Sequence, residues 1–205
     1  MPQLYVAACP PGLTLVIVCS QKTYDSPRHS IYDWCQMKNS LKLVIVVGLA
    51  LGAILGMAGT FVAARNLQSI LWLIDGVGII VATALLAVRH LRAGNDSVAA
   101  GFIVYAIGES VMLIGTATTI EASIPSYAAG IALWSAGLLL TGIPRQFALW
   151  VRIPAIIAAI LFAVTSLRIF AGEQILPTAA PLPSAGYPFL VLTFAGWIWT
   201  VLKAD

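Results

Sequence analysis

The chain has 205 residues, 60% of them hydrophobic and 9% charged, with a formal net charge of +3. A soluble domain carries about a quarter charged residues, and a chain this poor in polar groups cannot clothe a water-facing exterior. The eleven Lys and Arg are scattered singly or in pairs between apolar runs. There is no basic stripe with interleaved aromatics, so the lipid bilayer, and not nucleic acid, is the expected partner.

Residues 1–36 differ in kind from the remainder. They carry Pro2, Pro10, Pro11 and Pro27, a polar stretch from Ser20 to Ser30, and one short apolar run, Leu13 to Cys19. That run is too short to span a bilayer, and no Lys or Arg precedes it as a secretory signal requires. A lipoprotein signal is disfavoured by bulky Val18 before Cys19. Cys9, Cys19 and Cys35 have no metal-type spacing, and an internal disulfide leaves one of them over. The segment is expected to be poorly ordered or peripheral. Met37, followed directly by Lys38 and the first long apolar run, is the expected start of the membrane domain, 37–205, and of translation.

From Leu41 onward six apolar stretches follow, at about 41–64, 68–88, 98–120, 125–143, 147–170 and 185–202. Each reaches the roughly 17 to 25 residues a transmembrane helix needs. None alternates as a barrel strand does, so helices are the expected solution to backbone hydrogen bonding in lipid. The fold class expected is an all-α integral membrane protein with a bundle of six transmembrane helices. Arg65-Asn66, the Gly94 to Ser97 run, Pro125 and Pro144 punctuate the borders. The Pro-rich stretch holding Pro177, Pro181, Pro183 and Pro188 marks an irregular last connection.

Orientation follows from the positive-inside rule. With the start inside, Lys38, Lys42, Arg89, Arg92, Arg145, Arg152 and Lys203 collect on the inner side, against Arg65 and Arg168 outside. Both termini are therefore expected to be cytoplasmic, in the cell (inner) membrane. Trp72, Tyr127, Phe147, Trp150, Phe170 and Tyr187 fall near span borders, where interfacial anchoring is expected.

Gly48, Gly52 and Gly56 recur every four residues in the first span, and Gly101, Gly108 and Gly115 every seven in the third. Both patterns give smooth helix faces for close packing, chiefly within the chain, with a homo-oligomer through the first face as the alternative. Pro154 removes a backbone hydrogen bond inside the fifth span and crowds the carbonyl of Trp150, so a kink is expected.

Two acids lie inside spans, Asp75 in the second and Glu109 in the third, and intramembrane ionisable groups are functional candidates. At about 1.5 Å of rise per residue they lie about 11 Å and about 16 Å below the outer border, close enough in depth to face one another. Helical spacing puts Phe102, Tyr105, Met112 and Thr116 on the side of Glu109. This makes Asp75, Glu109, Tyr105 and Thr116 the candidate ligand- or proton-binding residues. The structural reading is a protonated Glu109 donating to a helix carbonyl or to Tyr105. Arg168 is a candidate ion-pair partner for Asp75. Arg152 is the weaker one for Glu109, since it is expected to snorkel to the cytoplasmic border.

Apart from Lys42 at the inner border of the first, the spans hold no Lys, His or Cys. A retinal-type Schiff base, a bis-His haem, a metal centre and Ser-His or Cys-His catalysis all lack their parts, so no cofactor, metal or catalytic residue is expected. Two functions remain. One is a non-catalytic membrane protein that packs with itself or serves as an accessory subunit of a larger membrane complex. The other is a small transporter or proton-coupled permease using Asp75 and Glu109, although no repeat relates the two sets of three spans. A polar cavity reaching both carboxyls favours transport, and a dry, filled interior favours the accessory role.

Overall fold

A computed structural model describes residues 39–203 in full and, of the remainder, the backbone of 5–7, 16–18 and 27–38. Tyr5–Ala7 (β1) pairs antiparallel with Val16–Val18 (β2). The expectation of a poorly ordered or peripheral extension over 1–36 otherwise falls outside the described residues. Helix α1 (Pro27–Leu51) begins upstream of Met37, so no element border falls at that residue.

Helix α1 passes into a π-helical segment, Gly52–Gly56, and then into α2 (Met57–Phe61). The rest of the chain forms α3 (Arg65–Arg92), α4 (Asp96–Gly115), α5 (Ile124–Gly142), α6 (Leu149–Phe170) and α7 (Tyr187–Lys203). By length and composition, five stretches suffice to cross a membrane: Asn39–Phe61 and helices α3 to α6. Helix α7 is apolar but shorter, at 17 residues. Its length of about 26 Å is a little under the roughly 30 Å hydrocarbon core.

The borders depart from the hydropathy pattern where local chemistry intervenes. Helix α3 takes in Arg65 at one end and runs to Arg92 at the other, its last turn holding Arg89, His90 and Arg92 beside the negative end of the helix dipole. Helix α4 stops at Gly115, although apolar character continues to about 120. Beyond it Thr116 Oγ1 donates to the Leu113 carbonyl (2.7 Å), Thr118 Oγ1 to Gly115 (2.9 Å) and Ser123 Oγ to Ile120 (2.7 Å). These short hydroxyl side chains compete with the helix for its own carbonyls. Gly94 (φ 73°) and Gly172 (φ 102°) follow α3 and α6 in the left-handed conformation that ends helices. Helix α6 continues across Pro154.

Each helix packs on its neighbour in sequence, and α7 returns to α1, so the six apolar helices close into a ring. The interior of the ring is aromatic. Phe102 and Trp197 meet edge to face at 4.8 Å, and Tyr105 stacks on Trp134 at 5.1 Å and 6°. Phe102, Tyr105, Phe162, Phe194 and Trp197 are all fully buried. The outside is apolar too, with Phe61 82% and Ile114 71% exposed. An apolar core inside an apolar skin requires lipid as the surrounding solvent. The border aromatics divide: Trp150 and Phe170 are exposed as anchors would be, whereas Tyr127 and Phe147 are buried in the ring. The chain is a helical membrane protein.

Candidate functional site

The site begins with glycine. Gly48 lies against Gly78 of α3, where an added Cβ would come within 2.5 Å of the Gly78 carbonyl oxygen. One turn on, Gly52 faces Ile79 with Asp75 beside it, and two turns on, Gly56 faces Asp75 itself. A Cβ on Gly52 would stand 3.3 Å from Asp75 Oδ1, and one on Gly56 would stand 2.6 Å from Oδ2. The first-span glycines therefore face α3 of their own chain and make room for a carboxyl. Gly52 and Gly56 do so from a π-helical turn, not from the uninterrupted α-helix that the four-residue spacing implies. Such turns widen the helix and recur at functional sites.

Glu109 on α4 approaches the same place from the other side. A Cβ on Gly76 would meet Glu109 Oε1 at 2.9 Å and Leu113 Cδ2 at 2.5 Å. The two acids thus stand side by side across the α3–α4 contact, each in space cleared by glycine. Asp75 is 8% exposed and Glu109 4%. Neither carboxyl has a basic partner among the described residues, and Asp75 Oδ1 and Glu109 Oε2 accept no hydrogen bond. The Trp134 indole N–H on α5 lies close enough to Glu109 to interact with it, but short of hydrogen-bond geometry.

A cavity of about 110 Å³ adjoins the pair, with room for several waters. Asp75, Glu109, Trp72 and Trp134 line its depth. Thr116, Ser123, Ser126, Tyr127 and Tyr187 line the way out, and Arg65, Ile120 and Pro177 lie at the far end. Ile120 and Pro177 belong to the α4–α5 and α6–α7 connections and Arg65 opens α3 directly after the α2–α3 connection, all at one end of the ring. The cleft therefore runs from that end to both carboxyls. At its rim the Tyr127 hydroxyl meets that of Tyr187 (3.0 Å), which donates to the Pro177 carbonyl (2.8 Å) and ties the last connection to the cavity wall.

Other candidates lie elsewhere. Thr116 lines the cavity with its hydroxyl turned back to Leu113. Tyr105 is fully buried behind Trp134 and does not line the cavity. Its hydroxyl has no partner, so the hydrogen bond expected between Glu109 and Tyr105 is not made. Arg168 does not pair with Asp75. It grips Glu173 with two hydrogen bonds, at 2.9 and 2.6 Å, because five residues separate them across the exposed end of α6. Arg152 does not reach Glu109 either. Its guanidinium donates to the Gly142 (2.8 Å) and Ile143 (2.7 Å) carbonyls at the end of α5, supplying donors that a helix C-terminus lacks.

The third-span glycines are used against α5. Gly101 and Gly108 oppose Gly137 and Gly130, with an added Cβ on Gly108 2.7 Å from the Gly130 carbonyl oxygen, and Gly115 meets Ser126 and Ser123. Sequence reading missed Trp134, which completes the carboxyl site, and Gly76, Gly130 and Gly137. The seven-residue spacing of Gly130 and Gly137, matching that of Gly101 and Gly108, was the available signal. No protein family, curated protein or solved structure matches the chain.

Proposed function

We propose that this protein is a small proton-coupled carrier: six spans with both termini on the cytoplasmic side of the inner membrane, and Asp75 and Glu109 as its exchangeable proton and solute site. One observation carries the reading, a cleft that leads from one end of the ring to two adjacent acids with no basic partner among the described residues. A carboxyl in such a place is neutral when protonated and is an anion in search of a cation when it is not. Either state needs what the cleft can deliver.

The aromatic groups around the pair are Trp134, with Tyr105 behind it, and Tyr187, with Tyr127 bonded to it, and Arg65 stands at the mouth. None of the aromatics is a cation that would hold the acids permanently ionised. The accessory or self-packing reading rests on small size and domain make-up as well as on glycine-lined helix faces, and of these the glycine faces give it no support, since Gly48, Gly52, Gly56, Gly101, Gly108 and Gly115 all meet residues of their own chain.

The test is charge movement in liposomes fused to a solid-supported membrane. A pH jump on the cleft side should give a transient current in the wild type that is absent in the Asp75→Asn/Glu109→Gln double variant. A wild-type trace equal to that of empty liposomes overturns the proposal.

A further inference from the structure

The cleft also carries the chemistry of its cargo. Five aromatic side chains line it with the two carboxyls: Trp72, Tyr127, Trp134, Tyr187 and Phe194. The hydroxyls that line it sit further along the chain from the acids: Thr116 just past α4, Ser123 and Ser126 at the start of α5, Thr60 on α2, and Ser69 six residues before Asp75 on α3. Close to the acids, the walls are instead Ile79, Leu113, Met112, Trp134 and the glycines of the π-helical turn.

That composition discriminates between kinds of cation. A magnesium or calcium ion gives up tightly held water only for a cage of several oxygens, and among the described residues no group of three or more His, Cys, Asp or Glu side chains adds a further anionic ligand to the two carboxyls. An organic cation is weakly hydrated and needs fewer oxygens. Its apolar substituents gain from leaving water, and its charge is attracted to aromatic faces as well as to carboxylates. Arg65 opposes entry of a cation. It stands at the mouth, about 15 Å along α3 from Asp75, and its guanidinium is tied to the Thr118 carbonyl at 3.0 Å. Two carboxyls against one guanidinium leave the cleft negative once both have released their protons.

We infer that the ligand is a lipophilic organic monocation, a substituted ammonium with an aromatic or branched aliphatic body, held by its charge at Asp75 and Glu109 and by its body against the aromatic wall. The inference rests on the carrier reading for its coupling: a carboxylic proton leaves as the cation arrives, so one positive charge replaces another.

The probe is benzyltrimethylammonium, titrated by tryptophan fluorescence into the full chain in mild detergent, with its uncharged isostere neopentylbenzene as control. The wild type should bind the cation saturably and at least tenfold more tightly than the isostere. Affinity should rise about tenfold per pH unit wherever one proton is displaced, and sodium should not compete. Glu109→Gln and Asp75→Asn should each weaken binding at least tenfold. Trp134→Leu should weaken it while Trp134→Phe restores most of it, with thermal melts checking that each variant is folded. Affinity independent of pH, equal binding of the isostere, competition by sodium, or binding unchanged in the double carboxyl variant overturns the assignment. A wild type that gives the pH-jump current but does not bind benzyltrimethylammonium refutes the ligand class alone. Binding without the current refutes the coupling.

Discussion

The contacts around Asp75 give the sharpest expectations at the scale of single residues. Gly56→Ala puts a methyl group 2.6 Å from Asp75 Oδ2, and such overpacking costs about 1 to 3 kcal/mol. The cost should be largely relieved in Gly56→Ala/Asp75→Ala, because the clash is with one side chain. A double-mutant cycle of unfolding free energies in detergent measures that coupling, and additive effects would place Asp75 elsewhere. Arg168 gives the opposite expectation. Since it serves Glu173, Arg168→Gln should leave the response of Asp75 to pH untouched. The guanidinium holds the Glu173 carboxyl below the usual carboxylate range through its hydrogen bonds. A depressed folded-state value stabilises above the unfolded pKa of about 4.3 and is lost as pH falls through the folded value. The pair is exposed and open to screening. Any loss of melting temperature in Glu173→Gln should therefore appear at neutral pH, fade in acid and shrink with added salt.

At the scale of elements, the most extensive helix contact is the face shared by α4 and α5, where Gly108 and Gly130 bring two backbones together. A methyl at Gly108 would meet the Gly130 carbonyl at 2.7 Å, and a backbone cannot swing aside as a side chain can. Gly108→Ala should destabilise by about 2 kcal/mol or more and gain nothing from a second substitution at Asp75, as unfolding in detergent would show. This scale also separates what was legible in the sequence from what was not. The six apolar helices follow from composition and from punctuation at Arg65, Gly94, Pro125 and Pro144, since those signals are local. The two acids were legible because charge in an apolar run stands out. The π-helical turn was not: Gly-Ala-Ile-Leu-Gly permits either helix, and its form goes with a carboxyl more than 18 residues away. Tyr127 and Phe147 read as interfacial by position, yet they face inward, because which way a border aromatic points depends on neighbours far off in sequence.

At the scale of the molecule, ring closure of α7 onto α1 puts the connections Ala93 to Asn95 and Ile143 to Ala148 at one end. It puts those around Ile120 and Pro177 at the other. Single cysteines at Asn95 and Glu121, in a chain whose Cys9, Cys19 and Cys35 are replaced, should be labelled by a membrane-impermeant thiol reagent from opposite sides. Labelling of Glu121→Cys in intact cells and of Asn95→Cys only after lysis agrees with the proposed orientation, and the reverse pattern inverts it. The carrier account itself depends on water reaching the acids. Infrared difference spectra of the protein in bilayers, between about pH 5 and about pH 9 and with exchange into D₂O, test this most directly. The account predicts two carboxyl C=O bands, one removed by Asp75→Asn and one by Glu109→Gln, both responding to bulk pH and to deuterium. Bands that ignore both would mean that the acids are sealed in the interior, and would contradict it.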